Sequence, residues 1–267
     1  MTDINQSTVL ITGATGGFGR HMVSQFGASG GRLLLTDVDA GALATLADEA
    51  RAAGNEVIDA MPADLSRDSG SRSLHRWLGE LGIVPDILVN NAGLGVAGRH
   101  DHVPADRWEG LLQVNLLAPM RLCHLFLPAM IKRGSGHVVN VSSLAGWVGS
   151  PGLSAYCASK FGLRGFAEAL RYDLRDAGIR VSTVYPSFSR TPILDSEQFG
   201  YDERRRVPDH MVTDPADVVA AIVRGVRRNR PHIFPDRVAL TTHYLQRFLP
   251  GVIPLLQSRL DRVTQPA

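Results

Sequence analysis

Residues Ser7 to Gly19 read STVLITGATGGFG: a short apolar run broken at once by glycines, with an amphipathic stretch continuing to Ala28. Strand, glycine turn and helix in that order open a dinucleotide-binding fold. The glycines let the backbone approach a pyrophosphate, and the helix start supplies free N–H groups and the positive end of a dipole. Gly13, Gly17 and Gly19 are spaced G-x-x-x-G-x-G rather than the general G-x-G-x-x-G. The loop alone is weak evidence; its place between a strand and a helix gives it weight.

The next strand, Arg32 to Thr36, ends at Asp37, 18 residues past Gly19. A carboxylate at that tip can accept both hydroxyls of an adenosine ribose and would repel a 2′-phosphate. The plainer reading is a turn or helix-start residue before Asp39. A helix over about Ala40 to Ala53 leads to a strand from Glu56 to Pro62 and then to Asp64-Leu65. A helix from Ser69 to Leu81 precedes the strand Asp86 to Val89, which runs directly into Asn90-Asn91-Ala92-Gly93. Arg107 to Arg133 has long helical spacing, interrupted by Asn115 within an apolar run. A buried Asn there costs stability unless its amide is bonded.

A second stretch, Val138 to Gly165 (VVNVSSLAGWVGSPGLSAYCASKFGLRG), carries the chemistry. It opens as a buried strand, breaks into a Gly/Pro/Ser loop, and resumes as a helix near Ala155. Tyr156 and Lys160, four apart, share one helix face. A free phenol titrates near ~10, so as a base at neutral pH it is in the wrong protonation state. Lowering that pKa by about three units takes roughly 4 kcal/mol of differential interaction, for which the Lys160 ammonium is the expected source. Among the 28 Lys plus Arg, only Lys132 and Lys160 are lysine. A lysine kept beside Tyr156 in so arginine-rich a chain implies that a compact ammonium is needed, or else that Lys160 survives a compositional bias. Ser142 and Ser143 close the preceding strand, where α/β sheets place ligand-binding groups, and Ser143 falls 13 residues before Tyr156.

The Ser…Tyr-x-x-x-Lys pattern, the NVSS strand, YCASK at the helix start, TGxxxGxG with Thr12 in place and NNAG together resemble the short-chain dehydrogenase/reductase family. The resemblance covers about residues 7 to 235. It implies an α/β fold, a doubly wound Rossmann-type three-layer domain with a central parallel sheet of about seven strands, built as one NAD(P)-binding domain over residues 1–267. It implies Tyr156 as catalytic acid/base, Lys160 as its partner and ribose ligand, Ser143 as the hydroxyl that polarises the substrate oxygen, and Asn115 as a fourth member that holds a relay water. Gly13, Thr15, Gly17, Phe18 and Gly19 become the cofactor loop, Asp37 the ribose ligand, and Asp64 with Leu65 the adenine neighbours. A helix-cap role competes for Asp64, and a structural kink with a satisfied amide competes for Asn115. Asn90, Asn91, Ala92 and Gly93 line the cofactor groove, with Asn90 the leading contact. After the sixth strand, Ile179 to Tyr185, the family has Pro-Gly and then a threonine that binds the nicotinamide amide. Here the sequence is Pro186-Ser187-Phe188-Ser189-Arg190-Thr191, so Ser187 puts the turn geometry in doubt while Thr191 still fits. Phe188 is expected to face the nicotinamide or the substrate.

Gly16 and Val38 stand where NADP-preferring members place a basic residue, so the implied cofactor is NAD in preference to NADP. The expected activity is reversible oxidation of a secondary alcohol to a ketone, bulky and apolar in type (steroid, retinoid or long-chain), with a 3-oxoacyl-carrier reductase as rival. A catalytically idle cofactor-sensing regulator and a lyase or isomerase with tightly held NAD are alternatives of other classes.

Composition narrows the rest. The chain has 267 residues, 44% of them hydrophobic, and a net charge of +2, too small to argue for nucleic acid. No long uniform apolar run of bilayer-spanning length is apparent, and MTDINQS lacks a signal-peptide pattern. Cys123 and Cys157 have no metal spacing, which points to reduced thiols in a cytoplasm and to no metal. Residues 190–213 read as a mobile lid over the substrate, with ERRR at 203–206 as a solvated face or, alternatively, an anion site. A helix begins at Asp214-Pro215 and runs to about Arg228, and a last strand lies near His232 to Phe234. The tail near 242–263, rich in Leu, Ile and Phe with interleaved Arg, is too apolar to stay in water. It is expected to pack on the substrate mouth or on a partner subunit of a homodimer or homotetramer; a membrane-surface contact suited to a lipid-like substrate is the sharper alternative.

Overall fold

The structure, a computed structural model, describes residues 1–204 and 206–252. Runs such as TVLIT and ILVN have no polar alternation, the pattern of strands covered on both faces. Accordingly β1 (Thr8–Thr12) is buried at every position. The chain continues through α1 (Gly17–Gly27), β2 (Arg32–Thr36), α2 (Ala40–Ala52), β3 (Val57–Ala60), α3 (Asp68–Glu80), β4 (Ile87–Asn90) and the short β5 (Ala97–Gly98). Next come α4 (Ala105–Leu112), α5 (Ala118–Arg133), β6 (Gly136–Val141), α6 (Ser154–Asp173), β7 (Ile179–Val184), β8 (Gln198–Phe199), α7 (Pro215–Arg227), β9 (His232–Ile233) and α8 (Arg237–Phe248). Seven strands form one sheet in the order β3-β2-β1-β4-β6-β7-β9, all parallel. The Rossmann-type expectation therefore holds.

Strand side chains alternate across the sheet and divide the core in two. Val9, Ile11, Leu33, Leu35, Val89 and Val139 face α1, α2 and α7 through Met22, Phe26, Leu43 and Ile222. Leu10, Leu34, Leu88, Val138 and Val181 face α3, α5 and α6 through Leu74, Trp77, Leu122 and Ala167. Caps set several boundaries. Asp39 accepts from Ala42 N at 3.0 Å ahead of α2, and Asp214 accepts from Ala216 N at 2.7 Å ahead of α7, with Pro215 in the first turn.

Three expectations need revision. The stretch expected as one helix from Arg107 starts at Ala105 and contains a π-helical turn at Gln113–Leu117 between α4 and α5. That combined span, Ala105–Arg133, is long and apolar enough to cross a membrane, contrary to the reading that no such run exists. Half of its most apolar window is buried in the fold, where Leu111, Leu122, Phe126 and Met130 serve the core. The 190–213 segment is also fastened more than a mobile lid implies. β8 pairs with β5 in a separate two-stranded sheet, Arg107 pairs with Glu197 at 3.1 Å, and Arg204 pairs with Asp195 at 3.2 Å. At the C-terminus, Tyr244, Leu245, Phe248, Leu249 and Val252 fall in or just after α8, and residues 253–263 of the expected tail lie outside the described residues.

Candidate active site

The carboxyl ends of β1, β4, β6 and β7 meet on one side of the sheet, and the strand order reverses between β1 and β4, the place where such folds bind ligands. At the end of β1 the glycine turn is built by close approach. Gly13 sits at φ +64°, and a side chain on it would meet the Ala92 Cα at 2.7 Å. Gly17 has no room because a Cβ would lie 2.5 Å from the Thr191 Cβ. Asn91 fastens this turn: its Nδ2 donates to the carbonyls of Thr12 at 2.9 Å and Gly13 at 3.0 Å, while Thr12 Oγ1 accepts from the N–H groups of Asn91 and Ala92. Asp37, at the tip of β2, takes the Thr15 N–H on one oxygen at 2.9 Å and the Val38 N–H on the other at 2.7 Å. Phe18 packs against the core beneath the turn. α1 begins at Gly17 with no side-chain cap, so its first N–H groups face outward.

The leading contact expected in NNAG is displaced. Asn90 is 3% exposed and its Nδ2 donates to Asn140 Oδ1 at 2.9 Å across the β4–β6 pair. Its side chain ties two strands beneath the groove, so it is Asn91 that shapes the cofactor turn. Asp64 is exposed, accepts from Ser66 N and Oγ, and pairs with Arg67 at 3.3 Å. Those contacts hold its carboxyl below the usual range and fit the turn that leads into α3. Leu65 is a core residue at 7% exposure.

Ser143, Tyr156, Lys160 and Asn115 come together. Ser143 follows β6; its Oγ accepts from Ala145 N at 3.1 Å, and its hydroxyl is near enough to Tyr156 to draw the phenol's pKa down. The loop is locked to α6 because Ser142 Oγ donates to the Lys160 carbonyl at 3.0 Å, and Gly146 packs so tightly there that a Cβ would meet the same carbonyl oxygen at 2.6 Å. The Lys160 ammonium is 4% exposed, lies 5.6 Å from the Tyr156 ring centre, and donates to Val141 O at 3.0 Å. Asn115, in the π-helical turn, accepts from Leu94 N at 2.8 Å and donates to Leu94 O at 2.9 Å and Ser159 Oγ at 3.3 Å. Its amide is satisfied, and through Leu94 it fixes the chain just beyond Gly93. Gly93 leaves a gap between these groups: a Cβ there would meet Asn115 Oδ1 at 3.4 Å and Lys160 Nζ at 3.7 Å.

The electrostatics reverse one expectation. Burial pushes the Tyr156 phenol up to about 12, with only the Ser143 hydrogen bond pulling it back. The Lys160 ammonium, itself desolvated, is drawn down to about 8. Removal from water is the leading cause of both shifts, and it moves the phenol opposite to the depression expected from Lys160. At neutral pH the site holds a protonated phenol above a charged ammonium, a proton donor ready for a substrate oxygen.

After β7 the turn is tied on several sides. Pro186 O accepts from Leu144 N at 2.8 Å, and Ser187 N donates to Asp236 Oδ2 at 3.1 Å. Ser187 is not among the positive-φ residues, so serine serves where the family has glycine. Phe188 is 39% exposed, and Thr191 lies against Gly17, which places it over the glycine turn.

These residues suit a nicotinamide dinucleotide. The uncapped start of α1 behind a side-chain-free cradle suits a pyrophosphate, Asp37 offers carboxylate oxygen to a ribose, and Lys160 retains donors beyond its bond to Val141. Ser187 Oγ, buried without a partner among the described residues, adds an orphan hydroxyl on the same side. Asp236, which sequence reasoning missed, is signalled only by an Asp two residues past the last strand in a helix-start context.

Residues 7–200 match the short chain dehydrogenase family, and the chain belongs to it. It is 32% identical to an uncharacterized oxidoreductase of Myxococcus xanthus over 98% of this chain and all of that protein. It is 33% identical to epidermal retinol dehydrogenase 2 of Mus musculus, over 91% of this chain and 78% of that one. Among solved structures, a short chain dehydrogenase/reductase of Burkholderia phymatum in complex with NAD superposes with a TM-score of 0.81 at 28% identity, covering 92% of this chain and 95% of that one. A short-chain dehydrogenase of Sphingobium yanoikuyae in complex with NADPH gives 0.79 at 28% identity, covering 98% of each. The chain is thus an oxidoreductase of the short chain class.

Proposed function

We propose that the chain is an NAD-dependent oxidoreductase acting between a bulky, apolar secondary alcohol and its ketone. The observation that carries the reading is the convergence of Ser143 at the end of β6 with Tyr156 and the buried Lys160 ammonium, which lies 5.6 Å from the Tyr156 ring centre. A bound nicotinamide supplies or takes the hydride. Ser143 holds the substrate oxygen and steadies the charge that develops on it. Tyr156 gives that oxygen its proton in reduction and removes it in oxidation, and the Lys160 charge favours the phenolate when the proton leaves.

Asp37 supports NAD: its carboxylate occupies the tip of β2 where a 2′-phosphate would need a cation, and neighbouring Val38 brings none. Leu94 at 47% exposure and Phe188 at 39% give the cleft apolar surface, in keeping with a bulky substrate, and a retinol dehydrogenase is among the relatives. The proposal includes a covered α8. Leu240, Tyr244 and Phe248 form an outward row at 42, 52 and 69% exposure, the face that a partner subunit or a membrane surface would bury. A panel of secondary alcohols and ketones assayed by nicotinamide absorbance, with NADH and NADPH in parallel, tests the reading. Turnover of small polar ketones in preference to apolar ones, or a preference for NADPH, would overturn it.

A further inference from the structure

We propose that Asp236 is a positioning residue for the Pro186–Thr191 turn, acting on dinucleotide binding from outside the catalytic group; the inference rests on the cofactor reading above. Asp236 stands between β9 and α8 and divides its two oxygens. Oδ1 accepts from Ala239 N at 2.8 Å and caps the helix; Oδ2 accepts from Ser187 N at 3.1 Å. Capping alone needs only the first bond.

The second bond reaches a turn that connects two parts of the site. At its start, Pro186 O holds Leu144 N, the residue after Ser143. Midway, Phe188 O accepts from Thr213 N at 2.9 Å and Thr213 Oγ1 at 3.0 Å. At its end, Thr191 closes on Gly17 of the pyrophosphate turn. Asp236 thus holds the first N–H of a span whose far end sits over the cofactor cradle. The seat of α8 reinforces the tie. His243 stacks on Phe234 at 4.4 Å and meets Trp147 edge-on at 4.5 Å, and Trp147 lies four residues past Ser143. One helix therefore braces both the substrate-oxygen loop and the cofactor turn, and Asp236 is its polar contact to the latter.

Two variants separate capping from positioning. Asp236→Ser keeps a good helix cap but offers one short hydroxyl, so it loses Ser187; Asp236→Ala loses both contacts. Amide hydrogen exchange at 187–191, measured without cofactor, is expected to quicken about tenfold in Asp236→Ser with the melting temperature lowered by no more than about 5 °C, the effect of one lost charge-assisted hydrogen bond. The Kd for NADH, titrated by tryptophan fluorescence, is expected to weaken roughly fivefold or more, with the KM for ketone unchanged. Parent-like exchange or parent-like NADH affinity in Asp236→Ser would overturn the proposal. A parent protein that binds neither NADH nor NADPH would instead overturn the cofactor reading, whatever the exchange shows.

Discussion

The Lys160 ammonium donates to the Val141 carbonyl at 3.0 Å, which fastens α6 to the end of β6 just ahead of the two serines. The bond is made by a side chain 4% exposed, whose pKa burial draws from 10.5 down to about 8. That difference corresponds to about 3 kcal/mol by which folding disfavours the charge. An unfolded lysine keeps its proton up to 10.5 while the folded one releases it near 8, so at this group the unfolded state holds the proton longer and the Lys160 contribution to stability rises with pH across that window.

Lys160→Met should therefore melt no lower than the parent at pH 7 and lack the parent's Lys160-dependent gain in stability between pH 8 and 10.5, yet lose turnover by about a hundredfold or more. Thermal melts across that range, read beside rates, check it. In the parent, the rate of ketone reduction should fall as pH rises through about 8, where Lys160 discharges.

Tyr156→Phe removes the proposed proton donor and leaves the ring in place beside Lys160. Turnover should drop by about three orders of magnitude, with NADH affinity within about twofold of the parent. Absorbance assays and a binding titration give the two numbers; a variant that keeps most of its rate assigns the proton to another group.

Asp37→Ala takes away a ribose acceptor and also frees the Thr15 N–H that shapes the glycine turn. The KM for NAD should rise about tenfold while that for NADP changes little or improves, narrowing the preference. Steady-state kinetics with both dinucleotides decide it.

His137 lies far from the chemistry, on β6 between the hydroxyls of Thr2 at 2.9 Å and Ser182 at 2.8 Å. Burial first, then the nearby Arg180, lowers its pKa from 6.5 to about 3. The unfolded imidazole takes a proton below 6.5 and the folded one does not, so stability falls as pH drops through that window, by about 3 kcal/mol at pH 4.5. Urea unfolding at pH 7 and 4.5 should show this loss in the parent and a much smaller one in His137→Gln.

Much of this was legible in the sequence. β1 and β2 were readable because a parallel strand is covered on both faces and reads as an unbroken apolar run bounded by Gly or Asp. Tyr156 and Lys160 were readable because helix spacing alone puts them side by side. What escaped depends on contacts between distant segments. Asn90 and Asn91 are identical letters, yet strand alternation turns one into the sheet against Asn140 and frees the other for the glycine turn. β5 and β8, two residues each, are too short for any periodicity, and the π-helical turn shows in the sequence only as Asn115 interrupting an apolar run, which does not tell a π turn from a kink. The direction of the Tyr156 shift escaped for another reason: spacing reports who sits beside the phenol but not how much water has been removed from both.

The small β5–β8 ladder joins two segments a hundred residues apart in the chain. It pins the chain at Gln198–Phe199 as a rivet would, and the Arg204–Asp195 ion pair ties the stretch after β8 to the stretch before it. An insertion on one side of β8 would therefore be felt on the other, while the seven-stranded sheet, which shares no strand with this ladder, keeps its own pairing. Changes in this segment are therefore expected to come as matched pairs, one on each side of the rivet, rather than singly.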